Sequence, residues 1–293
     1  MTALPLARPG ISIVFWAGLF VFLWASGFLS AKFGFPYAEP LTFLAWRYGL
    51  AVACLVPIAL LLRAAWPRTW REAAHIAVAG LGIQTGYLVG VYSGIYNGIS
   101  TGVIALIVGL QPLLTGALAG SVLGERVSPR QWLGLVLGFA GLGMVVAEKV
   151  ALGSATVVGL AFGLLGLLSI TCGTLYQKRF CGGMQMWSGI SIQAMVSVLV
   201  TGALAAATET MRIDWTGEFV FALLWSTLGL SVITAALYFY LVRRGAAAKV
   251  TSLIYLSPPT TAVMGYLVFD ERLGAAAIAG MAVAMVGVAL ANR

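Results

Sequence analysis

Three places in an otherwise apolar sequence have residue types and spacings suited to holding a small polar molecule. Thr227, Ser231, Thr234 and Tyr238 follow one another at intervals of four, three and four, which is one face of an α-helix. Such a stripe faces either a cavity or a neighbouring helix, where Ser and Thr commonly hydrogen-bond. Gln84 and Tyr87 share a face of another apolar run; a glutamine amide both donates and accepts, so it can take a carboxylate and an amine. Arg47 lies some eight residues into a third run, roughly 12 Å along a helix axis. A guanidinium at that depth must meet water, an anion or a carbonyl. It is either an outer-side contact for a substrate carboxylate or a snorkelling side chain with a structural partner. Trp24, Trp225 and Tyr255 also lie deep in apolar runs, where aromatics either pack or wall a pocket. Trp70, Trp132, Trp187 and Trp215 fall near run ends, as interfacial anchors do.

This is chemistry of binding rather than of bond breaking. The nine acids, Glu39, Glu72, Glu125, Glu148, Glu209, Asp214, Glu218, Asp270 and Glu271, all fall at run ends or in connections. The one histidine, His75, starts a run and is expected at the interface. An intramembrane enzyme would need acids, bases or metal ligands at depth, and none are there. Cys54, Cys172 and Cys181 have no CxxC spacing, so no metal or disulfide is expected. GFAGLG at 138–143 has the wrong spacing for a dinucleotide loop and no strand before it. No cofactor is expected.

The elements that must position these residues follow from composition. Hydrophobic residues make up 61% of the chain and charged residues 9%, against about 25% charged in an ordinary soluble domain. The sequence is that of an all-α integral membrane protein. Ten apolar runs are long enough to cross a bilayer: 12–34, 40–62, 72–95, 98–121, 129–147, 155–177, 185–206, 218–242, 248–269 and 274–291. The first is too long for a signal-peptide core and is read as a span. With the N-terminus inside, cytoplasmic segments carry 12 Lys and Arg and outer segments 3, which places both termini in the cytoplasm. The net charge of +8 belongs to that asymmetry rather than to a nucleic-acid partner. Lys32, near the end of the first span, is expected to snorkel.

The chain also repeats itself. Pro112 and Pro258 lie 146 residues apart, as do Glu125 and Glu271, Arg126 and Arg272, Gly27 and Gly173, Lys32 and Lys178, Gly134 and Gly280, and Gly141 and Gly287. The fold expected is therefore ten transmembrane helices arranged as two five-helix repeats, 1–147 and 148–293. Because five is odd, the second enters the membrane inverted, with the substrate near the midplane between the halves. Pro112 and the pair Pro258-Pro259 interrupt the fourth and ninth spans and bend them, either as gating hinges or as static kinks. The glycine-rich faces of the fifth and tenth spans suit close helix packing and are read as scaffold.

With WASGF at Trp24–Phe28, the Pro-to-Glu-Arg ends of the fourth and ninth spans, and the glycine-rich fifth and tenth spans, the chain resembles the drug/metabolite transporter superfamily over its whole length. It is similar to the ten-helix EamA-type exporters of bacteria and, within them, to YddG-type exporters of aromatic amino acids. The resemblance implies export of amino acids, aromatic and other neutral ones, or of related small metabolites across a bacterial inner membrane. The expected partners are a small-molecule substrate and the lipid bilayer, with no nucleic acid, in a monomer or weak homo-oligomer. No nucleotide-binding motif is present, and no deep acid or histidine offers a proton relay, so a facilitative alternating-access carrier is expected. Another cargo, such as a nucleobase or a cationic drug, stays open on the same fold, although a cation would want a deep acid.

Overall fold

The computed structural model describes residues 11–124, 127–151, 156–234, 236–237, 241 and 256–291. All extended regular structure among them is helical, as a bilayer demands of a chain that must satisfy its backbone internally. The helices are α1 (Ile11–Gly34), α2 (Pro40–Leu61), α3 (Trp70–Gly80), α4 (Tyr87–Tyr96), α5 (Thr101–Gly109), α6 (Gln111–Leu123), α7 (Pro129–Ala151), α8 (Val157–Phe180), α9 (Met186–Thr208), α10 (Gly217–Leu224), α11 (Ser257–Phe269) and α12 (Ala275–Ala291). A π-helical segment, Leu81–Gly86, joins α3 to α4, and a second, Trp225–Thr234, continues α10. Among the described residues, seven helical runs are long and apolar enough to cross a membrane, and Gly18–Gly34 and Ala275–Ala291 are shorter apolar helices. Part of the expected ninth span lies outside the described residues.

Local sequence explains several helix starts. Thr69, Thr156, Gln185 and Thr216 each cap the helix that follows, accepting from the backbone N–H three residues on. Other starts are completed from far away. Glu209 accepts from Leu41 N and Thr42 N at the head of α2, at 2.8 and 2.7 Å. Glu271 accepts from Thr101 N at the head of α5, and Glu148 from Ala277 N in the first turn of α12. A carboxylate there meets orphan N–H donors and the positive end of the helix dipole.

The fourth expected span is interrupted. α5 ends at Gly109, Leu110 stands at φ −78° and ψ −6°, and Pro112 lies in the first turn of α6, where a missing N–H costs little. Leu256 has nearly the same backbone, φ −79° and ψ −8°, ahead of Pro258 and Pro259 at the start of α11. Gly124 and Asp270, the residues closing α6 and α11, are both left-handed, at φ 72° and 51°. Each pair is separated by 146 positions, and the same displacement carries Leu81–Gly86 into the second π-helical segment.

α7 and α12 pack backbone against backbone. A Cβ built on Gly134 or Gly141 would collide with the carbonyl oxygen of Gly287 or Gly280, and the reverse collisions hold as well. Only glycine permits that approach. Outward-facing large apolar side chains such as Leu61, Leu199 and Leu267 are exposed, which suits a lipid-facing surface. Trp70, Trp132 and Trp215 are exposed near helix starts, where interfacial anchors belong.

Candidate functional site

A cavity of about 620 Å³ opens among α1, α2, the α3–α4 run, α8, α9 and the second π-helical segment. Its walls run from Arg47 and Tyr92 at one end to Met184 and Met186, at the connection between α8 and α9, at the other. Beyond Tyr92 an aromatic cluster fills the bundle. Tyr92 meets Phe35 edge-on and leans on Phe43, each at 5.7 Å between ring centroids, and Phe43 meets Phe219 at 5.6 Å. Phe43, Tyr92 and Phe219 are all buried.

Six of the residues singled out from sequence line this cavity: Trp24, Arg47, Gln84, Tyr87, Ser231 and Thr234. Gln84 sits in the first π-helical segment and Tyr87 just after it; Ser231 and Thr234 sit in the second. An i→i+5 bonding pattern widens the turn, and such segments recur at functional sites. Thr234 Oγ1 donates to Gly229 O, five residues back, at 2.7 Å. Thr227 breaks from the expected stripe. It is buried, is not among the walls, and donates to Leu223 O, four residues back, at 2.8 Å.

Trp225 is not among the walls. Its indole N–H donates to Ser26 Oγ at 2.9 Å, and the ring packs on the small core of Phe20, Val21 and Leu23. Of the two roles that the sequence left open for this residue, packing or a pocket wall, these contacts are those of packing, and the hydroxyl on α1 supplies the indole N–H with an acceptor. Tyr238 and Tyr255 lie outside the described residues.

Arg47 is 7% exposed. Its Nη1 donates to the Tyr92 hydroxyl at 2.6 Å, and Nε has no partner. The guanidinium thus lines the cavity with a neutral hydroxyl as its hydrogen-bond partner among the described residues. The sequence did not point to Tyr92, which lies 45 positions away on another helix. Nor did it point to Tyr48, whose hydroxyl donates to Gln84 O at 2.8 Å and fixes the two wall helices together. At the other end, Gln193 Nε2 donates to Gln177 Oε1 at 2.8 Å, and both residues line the cavity.

Lys32 finds a carboxylate at the end of its span. Its Nζ meets Glu271 Oε1 at 2.6 Å and lies 4.7 Å from the centre of the Phe269 ring. A carboxylate already held by Thr101 gives the ammonium a nearer partner than water. His75 hydrogen-bonds through Nδ1 to the Tyr176 hydroxyl at 2.7 Å and stacks on Phe180, away from the cavity walls. Among the described residues no three His, Cys, Asp or Glu side chains gather as a metal site would require.

Comparison with known proteins gives this arrangement a context. The family model described as EamA-like transporter matches residues 11–147 and again residues 157–293. The uncharacterized transporter YvbV of Bacillus subtilis is 26% identical over 299 residues, covering all of this chain and 94% of that protein. A chloroplastic WAT1-related protein of Arabidopsis thaliana is 32% identical over 79 residues, covering 27% of this chain and 19% of that one. One crystal structure aligns over 96% of both chains with a TM-score of 0.66 at 15% identity, a likeness of fold.

Proposed function

The chain belongs to the EamA-like transporter family, a family of multi-pass membrane transporters, and on that premise we propose that it exports amino acids, aromatic and other neutral ones, or related small metabolites by alternating access. The observation that carries this reading is the cavity itself. A buried guanidinium with an unpaired Nε lines a volume walled also by Trp24, Tyr87, Gln84, Ser231 and Thr234. A cargo with a carboxylate at one end and an apolar or aromatic body fits those walls.

The architecture proposed with it is ten spans in two inverted five-helix repeats, 1–147 and 148–293, with both termini cytoplasmic in a bacterial inner membrane. The two family matches begin 146 residues apart, the offset that relates Leu110 to Leu256 and Gly124 to Asp270. The reciprocal glycine contacts of α7 and α12 are what a two-fold axis between the halves would produce. In this reading the cavity opens towards the α8–α9 connection, which the distribution of Lys and Arg assigns to the cytoplasm. The breaks at Pro112 and Pro258-Pro259 act as hinges. The carrier is facilitative and works as a monomer or weak homo-oligomer.

The test is uptake of a labelled amino-acid panel into proteoliposomes of the purified chain. Saturable uptake of aromatic or other neutral amino acids, competed by related metabolites, is expected. A panel with no member carried would reject the reading.

A further inference from the structure

The charges around the cavity narrow the cargo further, and this step rests on the reading of that cavity as the transport site. Arg47 is the one charged residue among its described walls. An arginine keeps its charge at any physiological pH. Here it is more than nine-tenths buried, with one nitrogen on the neutral Tyr92 hydroxyl and Nε without a partner. The site thus holds an uncompensated positive charge in an apolar surround.

Eight of the nine acids lie among the described residues, Glu125 lying outside them, and six of the eight are engaged elsewhere. Glu39 holds Thr210, Glu209 heads α2, Glu148 heads α12, and Glu271 binds Lys32 and Thr101. Glu72 accepts from Arg68 N before α3, and Asp270 accepts from Arg272. Asp214 and Glu218 lie at the start of α10, and none of these eight is a wall of the cavity. The stretch 235–255, mostly outside the described residues, contains no acid; its charged residues are Arg243, Arg244 and Lys249.

We infer that the cargo is an amphipathic organic monoanion, a carboxylate on an apolar or aromatic body without an amine, and that it crosses with its charge uncompensated. A carboxylate on the Arg47 guanidinium, which lines the cavity, would replace the missing counter-charge. An ammonium on the same molecule would find only neutral oxygens and rings, and would lose its hydration without an opposite charge. Discrimination therefore favours the amine-free acid over the zwitterion of the same skeleton.

The driving force follows from the charge. Moving one elementary charge through 100 mV is worth about 2.3 kcal/mol, or about a 50-fold concentration ratio at equilibrium. An inside-negative potential alone then expels the anion, with no proton or sodium needed.

The experiment compares phenylpyruvate with phenylalanine, which share the ring and the carboxylate and differ at the amine. Both are offered to proteoliposomes of the full chain, with the potential set by a potassium gradient and valinomycin, and flux into protein-free vesicles is subtracted. Phenylpyruvate uptake should exceed that of phenylalanine by at least tenfold. It should rise with inside-positive potential towards about 50-fold accumulation per 100 mV and carry a measurable current. Arg47→Gln should abolish that preference, and the current of the unaltered protein decides the matter should the variant not fold. Equal or faster carriage of phenylalanine, or phenylpyruvate uptake blind to potential, overturns the inference and leaves the amino-acid reading standing. Carriage of neither compound, with other amino acids of the panel carried, has the same meaning. A wholly silent panel overturns both.

Discussion

Lys32 and Glu271, 239 positions apart, meet at 2.6 Å, and the same carboxylate accepts from the backbone and hydroxyl of Thr101. One side chain thus ties the end of α1, the start of α5 and the end of α11 together on the far side of the aromatic cluster from the cavity. Its own side chain is 8% exposed, so its loss leaves buried donors without an acceptor. Glu271→Gln should lower stability by about 1–3 kcal/mol, read as a fall in the thermal unfolding midpoint in detergent. An unchanged midpoint would show that the contact is incidental.

The offset of 146 maps this pair onto Lys178 and Glu125 in the sequence. Glu125 lies outside the described residues. If the halves exchange roles during transport, a disulfide at either pair locks one state. In a background lacking native cysteines, K32C/E271C and E125C/K178C should each stop transport on oxidation and recover on reduction. Undiminished flux in a cross-linked protein would count against alternating access between these ends.

Inversion has its own test. Cysteines placed beside Arg130 and beside Arg272 should be labelled by an impermeant reagent from opposite sides of the membrane. Labelling of both from one side would sink the inverted repeat and the transport cycle built on it.

The cavity separates wall residues from surface anchors. Gln84 lines it, whereas Trp132 is exposed on α7. Gln84→Ala should reduce transport by at least tenfold at matched expression while Trp132→Ala stays within about twofold, and equal losses would mean that the walls were misassigned.

Arg47 and Tyr92 form the most specific contact of the cavity walls. Arg47→Lys should impair transport by tenfold or more, because a planar fork becomes a point charge that cannot serve Tyr92 and a carboxylate together. Tyr92→Phe removes the hydroxyl that accepts from the guanidinium and should cost stability by about 1–3 kcal/mol while retaining some transport. Full activity in the lysine variant would leave Arg47 a structural role only.

Much of this was legible before any coordinates. A chain with 61% hydrophobic residues can cross a bilayer only by closing its backbone bonds within each segment, so helices over Pro40–Leu61, Val157–Phe180 and Met186–Thr208 follow from composition and length. The glycines at 134, 141, 280 and 287 announced a close helix pair because only a missing Cβ permits it. The acids were readable as end residues, since a charge at mid-depth would be costly. What sequence could not decide is which apolar face meets protein and which meets lipid, because lipid tails are as apolar as leucine. Trp225 could therefore be read as packing or as a wall until α1 brought Ser26 to its N–H. The π-helical turns were hidden as well, since the stripe at 227, 231 and 234 was read at α-helical spacing. Lys32 finds Glu271, and Arg47 finds Tyr92, only once helices far apart in the chain have docked. The unpaired Nε at the end of the cavity exists only in the tertiary structure, where packing removes water from the guanidinium and places no carboxylate beside it.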